Sequence, residues 1–233
     1  NYAKPFTEGD VPGVLNIMWS LSFEEQFYIL LAAVFIFSKK CSFRVLVSLC
    51  ILSISIRFLT VLNSDSISFV RIQFETHMRL DSILLGCLAY LYHNTLVEFL
   101  RHSKLARIIT LLGAGFAFYY GGIAVSTLQV ASSFLFTSIF FTLLIVYLKA
   151  CEDSYLNKIL SWKPLVKMGK ISYEIYLTHQ IVNALLVKSG CAEYHLVYGI
   201  LLIFGTLLVS LMFYHFLNIP IQNFIRKKRI SNS

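Results

Sequence analysis

The sequence predicts an all-α, polytopic membrane helical bundle with about seven transmembrane helices. Hydrophobic residues make up 57% of the chain and charged residues only 14%, where a soluble domain carries about a quarter. The mean hydropathy is +0.71. The apolar residues also fall into runs of roughly the 20 that a membrane-crossing helix needs, separated by short polar links.

Taken in order, Asn1 to Gly13 is polar and bears Pro and Gly, without the basic start, short apolar core and small-residue cleavage site of a signal peptide. The first span is read from about Leu15 to Phe37, ending at Lys39-Lys40, and the second from about Val45 to Leu62, with Arg57 inside it. Asn63 to His77 is too broken by Ser, Asp and Glu to cross. A short third span, about Met78 to Tyr92, carries Arg79 and Asp81 in its first turn. A basic link with Arg101, Lys104 and Arg107 leads to the fourth, about Ile108 to Val125. A Ser/Thr/Gln turn leads to the fifth, about Val130 to Leu148. Lys149 to Lys170, broken by Pro164 and Gly169, reads as an extramembrane loop. The sixth span covers about Ile171 to Val187 and the seventh about Leu196 to Leu217, with Pro220 ending the helix. The whole, 1–233, reads as one integral-membrane domain.

Seven crossings put fifteen of the 20 Lys and Arg on one side, from Lys39 to the Arg226–Arg229 tail. By the positive-inside rule that side is cytoplasmic, the N-terminus of this chain is outside and the C-terminus is cytoplasmic. The net charge of +8 is then a product of topology and gives no basis for nucleic-acid binding. Five scattered cysteines, Cys41, Cys50, Cys87, Cys151 and Cys191, lack metal-ligand spacing and read as small buried hydrophobes, so no metal site is expected.

Ionisable residues inside spans are costly and mark functional sites by default. Here Glu24 and Glu25, Arg57, Arg79 with Asp81, and His179 lie on four different spans, most of them in the outer half. They are expected to share one outward-opening cavity. The alternative is helix-to-helix pairs, such as Glu25 with Arg57, that only hold the bundle. Glu174, at the inner end of the sixth span, reads as a neutral control position.

Three segments carry a resemblance. Trp19-Ser20-Leu21-Ser22-Phe23-Glu24-Glu25-Gln26-Phe27-Tyr28 resembles the signature segment of the membrane-bound acyltransferase-3 family, which O-acylates surface glycans and related acceptors. Thr76-His77-Met78-Arg79-Leu80-Asp81 followed by Gly86 is similar to its T-x-x-R-x-D…G segment, and Gly169 to His179 to its late G-x-x-S-Y-x-x-Y-L-x-H segment. Where the family has E-x-P after its last helix, this chain has Asn218-Ile219-Pro220, an amide in place of a carboxylate.

The resemblance implies an O-acyltransferase, of O-acetyltransferase type, that moves an acyl group from a cytoplasmic acyl donor, acetyl-CoA or another acyl-CoA, to a hydroxyl of a cell-surface glycan. No cofactor is bound; the partners are donor, glycan and bilayer, in the inner membrane. It implies Glu24, Glu25, Arg79, Asp81 and His179 as catalytic candidates, and Trp19, Ser20, Tyr28 and His77 as substrate-binding ones, to which the charge inside the second span adds Arg57. Arg79 with Asp81 binds the donor or anchors the fold. The family's catalytic histidine belongs to a first membrane helix that this chain does not contain, so the chain reads as the C-terminal part of such a domain, and whether it acts by itself stays open. A transporter or channel for a small polar solute is the alternative, using the same midplane residues.

Overall fold

The computed structural model describes residues 18–37, 42–63, 72, 75–190 and 195–231, and among them only helices and turns occur. The chain divides into two units, one holding Met18–Lys158 and the other Ile159–Ser233.

In the first unit, α1 (Met18–Phe37) and α2 (Ser42–Asn63) are followed by a 3₁₀ turn at Thr76–Met78 that feeds α3 (Leu80–Leu91). Phe27 and Val34 of α1, Leu46 and Cys50 of α2 and Leu84 of α3 form one buried cluster. A bend of 80° separates α3 from α4 (His93–His102). The two helices differ in character: α3 is apolar, whereas α4 is amphipathic and seals Leu100 against Val146, Tyr147 and Ala150 of α6 while exposing Phe99 and Arg101. The basic link read from sequence is therefore helical except at Ser103.

Two long apolar helices, α5 (Lys104–Ile123) and α6 (Thr127–Ala150), complete this unit. Both begin at serine caps: Ser103 accepts from the Ala106 amide at 3.2 Å, and Ser126 forms a capping box with Gln129. Asn157 caps the far end of α6, donating to the carbonyls of Leu148 (2.7 Å) and Cys151 (2.8 Å). The α5–α6 pair is close because Thr110, Ala114 and Ala117 form a small-residue stripe. Gly113 lies against the Phe140 ring, 2.1 Å from where a Cβ would stand.

The second unit begins within α7 (Tyr155–Leu160) and continues through α8 (Lys163–Lys170), so the expected loop contains two short helices. α9 (Ser172–Lys188) stops at Gly190, whose φ of 77° suits glycine. α10 (His195–Phe213) packs along α9, then passes through a π turn, Tyr214–Asn218, into α11 (Ile219–Ser231).

Pro220 does not end this helix, contrary to the expectation. A proline cannot donate to the carbonyl four residues back and crowds it. The π turn absorbs that defect: Ile219 donates to Tyr214, five residues back, and the helix continues.

Four described helices are long and apolar enough to cross a membrane: Phe43–Asn63, Lys104–Ile123, Thr127–Ala150 and the continuous His195–Lys227; the bent α3–α4 pair would be a fifth. Of the other two expected spans, α1 has 20 residues and α9 has 17. At 1.5 Å per residue α9 reaches about 26 Å, short of the roughly 30 Å hydrocarbon core. Large apolar side chains on the bundle's exterior, such as Leu112, Phe118 and Ile145, are exposed as lipid-facing residues are.

Candidate functional site

The first unit's polar centre is the Thr76–Asp81 turn, fastened residue by residue to three helices. Thr76 donates to Gln26 of α1 at 2.8 Å, and Gln26 in turn donates to Ser22, one turn earlier, at 3.3 Å. The His77 carbonyl accepts from Ser53 of α2 at 2.7 Å. The Met78 carbonyl accepts from Arg57 at 2.6 Å. The Arg79 guanidinium lies 4.5 Å above the Phe134 ring of α6, a cation–π contact.

Asp81 closes the arrangement. Its two carboxylate oxygens accept from the two terminal nitrogens of Arg57 at 2.8 and 2.9 Å, and both side chains are 0% exposed. Such a bidentate pair satisfies the carboxylate and leaves it no open side for a substrate. Of the two roles the sequence left open for Asp81, the geometry favours anchoring. Arg57, expected at the substrate, is this anchor's other half, and its partner is Asp81 rather than Glu25. Asp81 lies in the first turn of α3, where a negative charge also suits the helix dipole.

The other candidates fall on more open positions. Glu24, Glu25 and Tyr28 are exposed, because the inward face of α1 is formed by Gln26, Phe27 and Val34. It is Gln26, between the two carboxylates and Phe27, that reaches the turn. His77 approaches Glu75 at 3.5 Å, with side chains 32% and 13% exposed. Arg79 is half-buried. The side chains of Trp19 and Ser20 lie outside the described residues; their backbone is in α1. His179 belongs to the second unit; it is half-buried, and its Nδ1 is 2.5 Å from the Tyr176 carbonyl on its own helix.

The second unit has a polar centre of its own. Glu174, in the first turn of α9, is 5% exposed and accepts from the amide of Asn218 in the π turn. It is no neutral surface control. Thr178 bonds the Glu174 carbonyl and meets Ser210 of α10, both at 2.8 Å. Asn218 occupies the place where the family pattern has a carboxylate; beside Glu174 an amide donates, whereas a second carboxylate would repel.

Sequence reasoning missed Ser53, Glu75 and one pairing. Ser53 had a signal, since it precedes Arg57 by one helical turn and so shares its face. Glu75 had one in its spacing of two from His77. The Glu174–Asn218 pairing across 44 residues had none beyond the oddity of an acid in an apolar run. No cluster of three or more metal-type ligands occurs among the described residues. Cys50 is buried and Cys87 and Cys151 are half-buried, all three as free thiols, while Cys41 and Cys191 lie outside the described residues.

Against known proteins, a family model described as an acyltransferase domain matches residues 4–215. O-acetyltransferase OatA of Staphylococcus aureus (strain NCTC 8325 / PS 47) is 30% identical over 222 residues, covering 89% of this chain and 36% of that protein. Peptidoglycan O-acetyltransferase OatA of Listeria monocytogenes serovar 1/2a is 26% identical over 230 residues, covering 93% of this chain and 36% of that protein. The chain thus spans about a third of the length of the curated relatives it matches. No solved structure matches.

Proposed function

The chain belongs to the acyltransferase-3 family, and on that premise we propose that it forms part of a membrane O-acetyltransferase acting on a cell-surface glycan. The relatives' names supply the chemistry, O-acetylation of peptidoglycan in one case. The observation that carries the reading to particular residues is the Thr76–Asp81 turn, whose anchoring presents Arg79 and His77 from a fixed backbone.

Acetyl transfer to a hydroxyl needs a base within hydrogen-bond reach of the acceptor proton, and donors for the oxyanion that forms on the acyl carbonyl. In our reading Arg79 supplies the donors, because a guanidinium keeps its charge and offers several N–H groups. His77, with Glu75 beside it, and Glu24 and Glu25 position the acceptor hydroxyl or orient the base. His179 is a second proton-transfer group, and Trp19, Ser20 and Tyr28 line the approach of the sugar. The donor is acetyl-CoA, reached from the basic, cytoplasmic side, and the glycan is met outside. Arg57 and Asp81 hold the frame.

The test is surface-glycan O-acetylation in cells lacking the parent protein and complemented with full-length variants at matched membrane abundance. Glu25→Gln is expected to lower the rate by roughly 10²–10⁴, the range for acid–base groups, and Arg79→Gln by roughly 10²–10³, the range for one oxyanion donor. Glu152→Gln, on an exposed pair with Lys149, replaces Glu174→Gln as the neutral control. Normal acetylation in Glu24→Gln, Glu25→Gln and Arg79→Gln alike would end this assignment.

A further inference from the structure

In the second unit, α9 presents two faces of different character. Glu174, Thr178 and Val182, spaced by four, are buried. This face meets small residues of α10: Thr178 bonds Ser210 at 2.8 Å, and Val182 lies against Gly205. Tyr176, His179, Gln180 and Asn183 fall at i, i+3, i+4 and i+7 and so share a second face, where all four are half-buried. Hydrogen-bonding atoms stay open on it. The Tyr176 carbonyl can only accept, so His179 Nδ1 donates to it at 2.5 Å and the neutral ring keeps its lone pair on Nε2. Asn183 Oδ1 accepts from Tyr198, which leaves the Nδ2 group unused. Gln180 makes no side-chain hydrogen bond among the described residues. None of these open atoms is sealed beneath the surface.

Polar atoms in that state are costly against hydrocarbon, and α9 lies along α10, part of a continuous helix apolar enough to cross a membrane. A neighbouring helix is a poor cover for them. Close helix packing in a membrane uses small residues, as at Ser210 and Gly205, whereas this face carries Tyr, His, Gln and Asn. No Lys, Arg, Asp or Glu occurs between Glu174 and Lys188, so the face suits a neutral ligand. Asn and Gln amides donate and accept at once, as hydroxyls do. We propose that this face is a binding subsite for the acceptor sugar, in which Gln180 and Asn183 hydrogen-bond hydroxyls next to one held at His179 Nε2. The proposal rests on the acetyl-transfer reading and names residues for its acceptor. With the basic side cytoplasmic, α9 runs outward from Ser172, so the subsite extends from His179 toward the compartment of the glycan.

The experiment uses the full-length protein in nanodiscs and soluble oligosaccharides of peptidoglycan, the glycan in one relative's name. It measures their equilibrium binding, and KM and kcat for their acetylation from acetyl-CoA. Gln180→Leu should weaken binding by roughly two- to tenfold, the factor for one hydrogen bond, and raise the acceptor KM equally while kcat and the donor KM hold. Its melting midpoint should not fall, since no hydrogen bond within the protein is lost. Asn183→Leu should weaken binding more than Tyr198→Phe, which removes the same contact to α10, and this comparison decides the matter if Gln180→Leu does not fold. No binding by the wild type, unchanged binding or a lowered midpoint in Gln180→Leu, or equal losses in Asn183→Leu and Tyr198→Phe would each overturn the proposal. A wild type that binds through Gln180 yet never acetylates would reject the acetyl-transfer reading and support the sugar site.

Discussion

Asp81 and Glu174 are both acids in the first turn of a helix, both buried within an apolar unit, and they are satisfied in opposite ways. Asp81 meets a guanidinium that fills both its oxygens. Glu174 meets one amide, and its second oxygen is left over. Burial alone therefore does not say how a carboxylate is satisfied; what differs between these two is how many of the oxygens the protein itself fills.

The largest expected effect breaks the satisfied member. Asp81→Asn leaves Arg57 buried and uncompensated, which costs about 3–5 kcal/mol when one partner of such a pair is removed. Thermal unfolding in detergent should show a much lower midpoint and cells should hold less protein. The double variant Arg57→Met, Asp81→Leu, which removes both charges, should recover much of that loss. A double variant as damaged as the single one would mean that the pair is not the anchor.

Packing provides the next comparison. Gly113→Ala drives a methyl into the Phe140 ring of α6, and overpacking of this kind costs about 1–3 kcal/mol. Wild-type stability in that variant would show that α5 and α6 part without penalty. Glu174→Gln should be milder still, within about 1 kcal/mol, because the Gln carbonyl still accepts from Asn218. A loss as large as that of Asp81→Asn would erase the contrast between the two acids.

The smallest effect is at Glu152, where the hydrogen bond from Lys149 holds the carboxyl below its usual range. A lowered value stabilises the folded state above the ordinary carboxylate pKa and is lost as pH falls through the folded one. The pair is exposed, so melting midpoints of wild type and Glu152→Gln should coincide from neutral pH down to about 4.3, the ordinary Glu value.

Much of this was legible in the sequence, for definite reasons. Apolar runs and their polar breaks placed the helices, since a membrane span must satisfy its own backbone. The Thr76–Asp81 segment stood out because charges in an apolar context are rare. Partner choice was not legible. The sequence offered Glu25 as a partner for Arg57, and only the position of the 3₁₀ turn against α2 selects Asp81, 24 residues away. The run from Met78 gave no sign of the 80° bend, because hydropathy counts residues and not direction. Pro220 misled for a related reason: its effect on a helix depends on whether a π turn precedes it. Among the site candidates, the exposed Glu24 and Glu25 and the half-buried Arg79 and His77 keep the chemical roles assigned to them as proposals, and for the buried pair Arg57 and Asp81 we propose a framing role.

That division into frame and chemistry is the central claim, and specific activity tests it. Surface O-acetylation is measured per amount of folded full-length protein for Asp81→Asn and Arg79→Gln, the first supported by growth at low temperature. The account predicts that Asp81→Asn loses acetylation only in proportion to lost folded protein, whereas Arg79→Gln stays abundant and loses roughly 10²–10³ in rate. An Asp81→Asn protein that is folded, abundant and unable to acetylate would contradict it.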